Sequence, residues 1–372
     1  MRNTKNKKIK VMQFICSLTL GGAETLLLDV LENFDNKNIE FITVILNDKT
    51  DITLKNKLLK VCPDSYFLNR KEGSKNPKYF FELLKIIKKH KIQVIHSHDY
   101  GSKLFSILFK LLNPNLKLIY TVHNMHIMNK ITGWKYFLHK NFIDLNIAIS
   151  EAVKTHCQNH KINKVKRIYN SIKVNKFINN TKKSENDIYK IINVSRIDHL
   201  VKGQDILIKA LKICKDRGCQ FECEFVGDIE DKKYSGSYKY LKDFVSKYKM
   251  EKEVKFLGKK DNIPEFLNRA DLFVLPSRNE GFGIVILEAM AAKVPVLASN
   301  IDGPAEIIKN GKNGFLFETE NPDDLAEKIL YLYENRDALV KITDTSSNFV
   351  KDFDISKMVK QYQDVYYFIT SS

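Results

Sequence analysis

A buried strand, a glycine turn and a helix follow one another in Asp271-Leu-Phe-Val-Leu-Pro-Ser-Arg-Asn-Glu-Gly-Phe-Gly-Ile-Val-Ile-Leu-Glu288. The apolar run 272–275 is typical of a strand inside a parallel sheet. Gly281 and Gly283 loosen the backbone, and residues 284–292 have helix-forming composition. This order predicts free backbone N–H groups and the positive end of a helix dipole at the carboxyl edge of a sheet. Phosphate-bearing ligands bind at that edge in α/β folds.

Two carboxylates accompany this turn. Glu280 lies before the helix and Glu288 lies just over one turn inside it, with seven residues between them. Carboxylates in these positions suit hydrogen bonds to sugar hydroxyls on either side of a diphosphate. A surface glutamate at a helix start and a second one on a solvated face are the ordinary alternative. The surrounding strand, Gly-x-Gly turn and apolar helix favour the ligand site.

The composition is that of a globular protein with two domains. The chain has 372 residues, which is large for one core, and its hydrophobic content of 44% is ordinary. No segment has about 18 consecutive apolar residues, so no membrane span is expected. The basic start leads into a short apolar run and two glycines, which indicates a first strand rather than a signal peptide. Six cysteines without a C-x-x-C pair predict reduced thiols in a cytoplasmic setting.

Charge is unevenly distributed along the chain. Residues 1–183 hold 33 Lys and Arg against 13 Asp and Glu, a net charge of +20, whereas the remainder has a net charge of −3. A basic half indicates an anionic partner, which could be membrane lipid, a lipid-linked diphosphate or nucleic acid. A general bias of the composition toward lysine is the alternative, but such a bias alone would also make the second half basic.

Strands and helices alternate twice, which predicts two doubly wound parallel sheets. The first series of strands is expected at 9–16, 41–46, 92–95, 118–122 and 145–149, and the second at 191–194, 222–226, 254–257, 272–275 and 294–298. Ser150 is the expected N-cap of a helix. The last stretch, 355–369, is expected to be an amphipathic helix, with Tyr362, Val365, Tyr366 and Phe368 as its apolar residues.

The context LPSRNEGFGIVILEAMAAKVPVLAS around Glu280 and Glu288 resembles the C-terminal domain signature of the family 4 type (group 1) retaining glycosyltransferases. The resemblance continues in residues 302–308 and 310–316 and covers nearly the whole chain. It implies the GT-B fold, which has two Rossmann-like domains facing a cleft and a C-terminal helix that crosses back to the first domain.

The resemblance also implies domain boundaries. Residues 168–172 resemble the strand and turn that close the first domain, with Ser171 where the family usually has glycine. We therefore expect an acceptor-side domain at 1–172, joined by the returning helix 355–372. A polar linker is expected at 173–187 and a nucleotide-sugar-binding domain at 188–354.

Two cations flank the first turn of the second domain. Arg196 follows a predicted strand, and Lys202 stands before Gly203 at the start of the next helix. Cations at such a turn can neutralise a leaving diphosphate, whereas two solvated cations are the ordinary alternative in a chain that has 61. The family pattern of Arg, a short loop and Lys-Gly matches residue by residue, and it implies the diphosphate role.

Three histidines end predicted strands of the first domain. A packed or capping histidine is the ordinary alternative at such a position, and we expect it for His96. The resemblance implies that His123 contacts the donor sugar. His98 lies in an H-x-H-like segment and could be an acceptor-side residue or a packed one.

The turn Gly21-Gly22 after the first strand resembles the family's first glycine loop. The resemblance implies that its backbone approaches the donor phosphate at Gly22 and the acceptor at Gly21, although any tight turn would use two glycines. No G-x-G-x-x-G or P-loop pattern is present. The single Asp-x-Asp, residues 352–354, precedes the last helix, and Asp354 is expected to be a helix cap. We expect neither a metal nor a cofactor.

These expectations combine into one reaction. A hexose or N-acetylhexosamine would pass with retention from a nucleotide diphosphate, UDP being favoured over GDP, to a hydroxyl of a glycan or polyprenyl-diphosphate-linked glycan in capsule, exopolysaccharide or lipopolysaccharide-type assembly. Glu288 would hold the ribose hydroxyls, and Glu280 and His123 the sugar hydroxyls. Gly281, Phe282 and Gly283 would offer backbone N–H groups, and Arg196 and Lys202 would stabilise the diphosphate.

The expected location is the inner face of the cell membrane, where a cytoplasmic protein would bind the anionic surface peripherally and no nucleic acid. Two alternatives remain open. One is a sugar-nucleotide epimerase on the same architecture, and the other is a non-catalytic, membrane-associated binding subunit. Nucleotide release stimulated by an acceptor would separate a transferase from both.

Overall fold

Seven parallel strands form the first sheet in the order β3-β2-β1-β4-β5-β6-β7. The computed structural model describes residues 8–19, 21–35, 37–178, 188–229, 235–336 and 339–371. The strands are β1 (Ile9–Ile15), β2 (Ile39–Asn47), β3 (Ser65–Arg70), β4 (Val94–Ser97), β5 (Lys117–Val122), β6 (Leu145–Ala148) and β7 (Val165–Arg167). The helices between them are α1 (Gly22–Asn33), α2 (Ile52–Val61), α3 (Lys78–His90), α4 (Tyr100–Leu112), α5 (Gly133–Phe142) and α6 (Glu151–Asn159), with a 3₁₀ helix at Met125–Lys130.

Six parallel strands form the second sheet in the order β10-β9-β8-β11-β12-β13. They are β8 (Tyr189–Val194), β9 (Phe221–Val226), β10 (Val254–Gly258), β11 (Leu272–Leu275), β12 (Val296–Ser299) and β13 (Phe315–Phe317). The helices are α7 (His199–Lys202), α8 (Gln204–Asp216), α9 (Ser235–Lys247), α10 (Ile263–Asn268), α11 (Ile284–Ala291), α12 (Asp302–Ile307), α13 (Pro322–Glu334) and α14 (Leu339–Phe349). Short 3₁₀ helices lie at Val174–Lys176 and Val350–Phe353.

The predicted pair of doubly wound parallel sheets is confirmed. The chain divides into unit 1, which is Met1–Ser171 with Ile355–Ser372, and unit 2, which is Ile172–Asp354. Of the linker predicted at 173–187, residues 179–187 lie outside the described residues, and Val174–Lys176 is a 3₁₀ helix of unit 2. Strands β3 and β13 were not predicted, because they are edge strands without a long apolar run. Strand β7 lies just before residues 168–172, where the resemblance implied the strand that closes the first domain.

The last helix, α15 (Ile355–Ser371), packs on α1 and β1 of unit 1, as expected. Its Tyr366 hydroxyl accepts a hydrogen bond from the Gln13 amide at 2.9 Å and lies 2.8 Å from Nδ1 of His96. Nε2 of His96 lies 2.7 Å from the Thr121 hydroxyl, which makes His96 a packed residue of the core. Phe368 was expected among the apolar residues of the helix, but its side chain is exposed.

The two faces of the first sheet carry different helices. Gln13 of β1 points to α15, whereas the next residue, Phe14, points to Phe105 of α4 at 6.4 Å between ring centroids. Helix α3 lies on the α4 side, because Phe80 stacks on Phe109. The helical period of residues 77–90 predicts an inner face made of Phe80, Phe81, Leu84 and Ile87. This prediction was partly wrong, since Phe81 is exposed while Tyr79, Leu83 and Ile86 join Ile87 in the core.

A lysine is buried between α4 and α5. Lys103 is fully buried, and its Nζ lies 3.2 Å from Nδ1 of His139. The same ammonium lies 4.5 Å from the ring centre of Tyr100 and 4.9 Å from that of Tyr120. Burial lowers the pKa of Lys103 to about 7, because the charged form loses its hydration. The ammonium is attracted to the faces of the two tyrosine rings, but this attraction offsets only part of the lost hydration free energy.

We expect Lys103→Met to change how stability depends on pH. Below about pH 7 the lysine is protonated in both states, and from there to 10.5 only the unfolded state keeps the proton. The free energy of unfolding should therefore rise with pH in that window by up to about 1.4 kcal/mol per pH unit in the native protein. Urea unfolding at pH 7 and pH 9 should show a smaller rise in Lys103→Met, and equal rises would contradict the assignment.

Candidate functional site

The second sheet changes direction between β8 and β11. From β8 the chain builds outward through β9 to β10, then returns to place β11 on the other side of β8 and continues to β13. The loops after β8 and β11 therefore leave neighbouring strands at the same carboxyl edge and diverge, which opens a ligand crevice there. The first loop leads to Arg196 and Lys202, and the second leads to Glu280.

Lys202 and Glu280 meet at this edge. The Lys202 ammonium donates to Oε2 of Glu280 at 2.6 Å, and each side chain is less than one-fifth exposed, at 18% and 17%. Partial burial weakens competition from water, so this pair holds its geometry better than a fully exposed one. Two predicted site residues that are 78 positions apart in sequence are thus in direct contact.

Arg278 connects the two loops, and no role was predicted for it. Its guanidinium forms a two-pronged bond to the Asp205 carboxylate at 2.6 and 3.0 Å, and it donates to the carbonyl of His199 at 2.5 Å. It also bonds to the Glu320 carboxylate. Backbone N–H groups of Arg278 and Asn279 donate to the carbonyl of Val201 at 2.9 and 3.2 Å. Three of these bonds, to the carbonyls of His199 and Val201, position α7, which ends in Lys202, against the loop that carries Glu280.

The charges in this cluster stabilise one another. Burial alone would raise the pKa of Asp205, but the hydrogen bonds and charge of Arg278 outweigh it and lower that pKa. The bond to Asp205 raises the pKa of Arg278. Both groups are therefore ionised at neutral pH, as a charge-assisted bidentate pair requires. No local pattern marks this pair in the sequence, because its members are 73 residues apart.

Two glycines allow backbone to approach backbone at the site. Gly203 has φ +64°, and a Cβ atom there would lie 1.9 Å from the carbonyl oxygen of Pro276. Gly303 starts α12 against the glycine turn, where a Cβ atom would lie 2.5 Å from the backbone of Phe282. Its N–H donates to the carbonyl of Glu280 at 3.3 Å. Gly303 was noted for its resemblance alone, and the structure shows that it supports the turn.

The turn of Gly281, Phe282 and Gly283 leads into α11. Gly283 is the N-cap with φ +90°, and it has no side chain with which to cap the helix. The ring of Phe282 is buried, with its centroid 6.0 Å from that of Phe353, so its side chain is part of the core of unit 2. Glu288 lies on the second turn of α11 and is half-buried.

Arg196 is placed apart from the Lys202 pair. Its guanidinium bonds to the buried carboxylate of Asp198 at 3.2 Å, and 44% of its side chain is exposed. This exposure leaves the guanidinium accessible to an anion at the same sheet edge. Gly227, at the end of β9, approaches this loop so closely that a Cβ atom would lie 1.9 Å from the carbonyl oxygen of Ser195.

The predicted histidines of unit 1 form a row. The ring centroids of His96 and His98 are 4.4 Å apart, and those of His98 and His123 are 5.9 Å apart. Nε2 of His98 lies 2.8 Å from Oε1 of Gln13. Nε2 of His123 is buried and has no hydrogen-bond partner among the described residues. Both rings line a small cavity beside α1.

These imidazoles are neutral at pH 7. Burial lowers the pKa of His123 to about 4 and that of His96 to about 3, and it lowers the pKa of His98 well below its ordinary value. A neutral imidazole offers one donor and one acceptor nitrogen, which suits a sugar hydroxyl better than a phosphate. The unpartnered Nε2 of His123 fits such a ligand.

The glycine loop of unit 1 lies after β1, beside the switch between β1 and β4. Gly21 is the N-cap of α1 with extended backbone, and Gly22 is the first residue of the helix. The Glu24 carboxyl folds back toward Gly21 and accepts a hydrogen bond from the Thr19 hydroxyl at 3.4 Å. Burial raises the pKa of Glu24. This carboxyl is a polar group at the predicted acceptor side, and no role was predicted for it.

Possible metal ligands lie elsewhere. Within the described ranges, one group of three lies within 4.8 Å, namely Glu40, Asp64 and His90. These residues lie at the amino edge of the first sheet, opposite to the histidine row. The Asp354 carboxylate accepts from the Val174 N–H at 3.4 Å, which ties residues 352–354 to unit 2.

The chain is similar to known proteins along most of its length. A family model described as "Glycosyltransferase Family 4" matches residues 20–176, and one described as "Glycosyl transferases group 1" matches residues 174–349. The chain is 29% identical to an uncharacterized glycosyltransferase of Methanocaldococcus jannaschii over 89% of this chain and 90% of the relative. It is 26% identical to the capsular polysaccharide biosynthesis glycosyltransferase CapM of Staphylococcus aureus over 68% and 70%.

A solved structure shares the fold. The Anabaena protein HepE, crystallised with UDP and glucose, superposes with a TM-score of 0.82 over 96% of this chain and 99% of that chain, at 22% identity. At this identity the likeness concerns the fold alone.

Gly203→Ala should destabilise the protein more than Gly218→Ala. Both glycines have positive φ, so each substitution incurs the left-handed strain of about 1–2 kcal/mol. At Gly218 the added methyl group meets open space, whereas at Gly203 it meets the Pro276 carbonyl. Urea unfolding should show a further loss of about 1–3 kcal/mol for Gly203→Ala. Equal losses would mean that the contact between the loops is looser than the structure shows.

Proposed function

The chain belongs to the group 1, family 4 type glycosyltransferases and has the GT-B fold, and from this membership we propose the reaction that it catalyses. It transfers a hexose or N-acetylhexosamine, with retention, from a nucleotide diphosphate to a hydroxyl of a glycan or lipid-linked glycan. UDP is favoured over GDP as the nucleotide. The observation that carries the proposal is the contact of Lys202 with Glu280 beside the uncapped start of α11.

The donor site is proposed on unit 2. Lys202 and the accessible Arg196 stabilise the diphosphate, which gains negative charge as the bond to the sugar breaks. Backbone N–H groups of Gly281, Phe282 and Gly283 add the positive end of α11. Glu288 accepts hydrogen bonds from the ribose hydroxyls. These roles separate fixed positive charge at the phosphates from acceptor oxygens at the sugars.

The sugar contacts are proposed for Glu280 and His123. Glu280 is held by the Lys202 ammonium, so its free lone pairs can accept from sugar hydroxyls. Nε2 of His123 has no partner among the described residues, and the low pKa of this histidine keeps it neutral. It can therefore exchange a hydrogen bond with a hydroxyl without adding charge.

Retention is proposed through a same-face displacement. The bond from the anomeric carbon to the diphosphate oxygen breaks while the acceptor oxygen approaches the same face, and the acceptor proton passes to the departing phosphate. The Glu280 carboxylate is engaged by Lys202, which favours an orienting role over that of a covalent nucleophile. Binding of a pre-oriented acceptor supplies the remaining rate enhancement.

The proposed acceptor is a glycan on a polyprenyl diphosphate at the inner face of the cell membrane, used in assembly of a capsule, exopolysaccharide or lipopolysaccharide-type polymer. The net charge of +20 over residues 1–183 supports an anionic surface as partner. The similarity to CapM, a glycosyltransferase of capsular polysaccharide biosynthesis, supports the pathway class. Within the described ranges, no helix is both long and apolar enough to cross a bilayer.

A screen of nucleotide sugars tests the proposal. With acceptor glycans present, one UDP-sugar should give nucleotide release well above the others, with the anomeric configuration kept in the product. Because side chains supply the cations in this proposal, EDTA should leave the rate unchanged. If EDTA abolishes the rate and Mg²⁺ or Mn²⁺ restores it, a metal ion rather than Arg196 and Lys202 neutralises the diphosphate. Release without any transfer would favour a different enzyme class.

Lys202→Ala and Arg196→Ala should lower turnover more than donor affinity, because the diphosphate charge grows toward the transition state. Removal of one such group should cost about a hundredfold in kcat. Lys215→Ala is a matched control, since Lys215 forms a similar pair with Glu253 at 2.7 Å. Weaker donor binding with normal turnover at saturating donor would contradict the assigned role.

A further inference from the structure

Three helices of unit 1 form one layer on the side of the first sheet opposite to α15. Phe80 of α3 stacks on Phe109 of α4 with ring centroids 4.9 Å apart. Lys103 of α4 contacts His139 of α5 at 3.2 Å. The order of the three helices across this layer is therefore α3, α4 and α5.

The three helices of this layer expose several apolar side chains. Six large hydrophobic residues on them are between 46% and 66% exposed. We name this set the apolar face; it consists of Phe81, Leu108, Leu111, Leu112, Trp134 and Phe137. Single exposed hydrophobic residues are normal on a protein surface, whereas a group on adjacent helices marks an interaction site.

The spacing shows that these residues belong to helix faces. Leu108, Leu111 and Leu112 are three and four positions apart, which places them together on α4. Trp134 and Phe137 are three positions apart on α5. On α3, Phe81 shares its face with Lys85, four positions later.

The charge around the apolar face is mainly positive. Residues 78–140 contain two carboxylates, Glu82 and Asp99, and eleven lysines, of which Lys103 is buried and Lys110 is paired with Asp144. Asp99 is occupied, since it caps α4 and accepts from the Cys16 N–H. Lys85, Lys88, Lys89 and Lys140 are exposed. Apolar side chains that project among exposed lysines are the pattern of an interfacial membrane surface.

We propose that the apolar face inserts into the headgroup region of an anionic bilayer, with the surrounding lysines on its phosphates. This inference deepens the proposed function, on which it rests, by assigning the surface through which a membrane-bound acceptor is approached. The lysines make an anionic lipid surface the fitting occupant. A second copy of this chain would bring the same positive charges together.

Insertion differs from purely electrostatic attachment in its salt dependence. Attraction between the lysines and anionic lipid is screened over about 10 Å at 0.1 M salt. Burial of Leu and aromatic side chains is not screened. Binding should therefore weaken with salt but retain a residual component that depends on the apolar face.

Trp134 is the single tryptophan of the chain and lies on this face, so the protein carries its own reporter. The full chain would be titrated with vesicles of phosphatidylglycerol and phosphatidylcholine, and with pure phosphatidylcholine. We expect a blue shift of Trp134 emission with the anionic vesicles, and quenching when the lipids carry bromine on upper acyl carbons. Sedimentation of the protein with vesicles without a change in emission would overturn the proposal, because another surface would be the contact.

Two phenylalanines of unit 1 provide a matched pair of variants. Phe137 on the apolar face is 62% exposed, and Phe368 on α15 is 69% exposed. Phe137→Ser should weaken vesicle binding about tenfold, as expected when one aromatic side chain no longer leaves water, and Phe368→Ser should leave it unchanged. Equal effects of the two substitutions would overturn the proposal. Circular dichroism would verify that both variants fold.

The remaining outcomes separate this inference from the proposed function. If no sugar nucleotide is consumed but Trp134 still inserts, the proposed reaction fails and the membrane face stands. If transfer to a soluble acceptor proceeds and no vesicle is bound at low salt, only the membrane face is refuted. A blue shift that depends on protein concentration and needs no vesicle would identify a second copy of the chain as the occupant.

Discussion

Each sheet changes direction beside the first strand of its unit, and this constraint decides where the candidate site residues lie. In unit 2 the loops after β8 and β11 leave neighbouring strands and diverge, and Lys202 from one meets Glu280 from the other. In unit 1 the same change between β1 and β4 places the glycine loop near the histidine row. Parallel strands connected by right-handed crossovers leave few other arrangements.

The side chains at these two edges differ in charge, since those in unit 2 are ionised and those in unit 1 are neutral. In unit 2 the charged groups are kept ionised by one another, with Arg278 held by Asp205 and Lys202 held by Glu280. In unit 1 burial removes charge instead, which leaves His96, His98 and His123 neutral. A diphosphate needs fixed positive charge, whereas sugar hydroxyls need uncharged partners, so the edge in unit 2 suits an anion and the edge in unit 1 suits hydroxyl groups.

The helices on the two sides of the first sheet also differ in what covers them. Helix α15 buries Tyr362, Val365 and Tyr366 against α1 and β1, and this contact satisfies the side chains of Gln13 and His96. On the other side, α3, α4 and α5 expose the apolar face among lysines. The buried Lys103 lies within that layer, between α4 and α5, where its desolvation reduces stability at neutral pH.

Local signals in the sequence were enough for the elements that depend on them. Strand β11 has the predicted bounds 272–275, because an apolar run between a helix and a proline has no competing interpretation. Ser150 caps α6 as expected, since its hydroxyl accepts from the Val153 N–H at 3.1 Å. The order of elements, the glycine turn and the family resemblance together led to the correct fold. The roles of the individual site residues stay predictions.

Tertiary structure alone decided the contacts between distant loops. The bond of Arg278 to Asp205 and the approach of Gly203 to Pro276 depend on which strands become neighbours, and no periodicity carries that information. The inner face of α3 was misjudged for the same reason, because the stacking of Phe80 on Phe109 fixes the rotation of the helix and leaves Phe81 exposed. The sequence determined which segments are strands and helices, since that choice depends on residues a few positions apart. Packing determined which of their side chains meet, since that depends on long-range pairing.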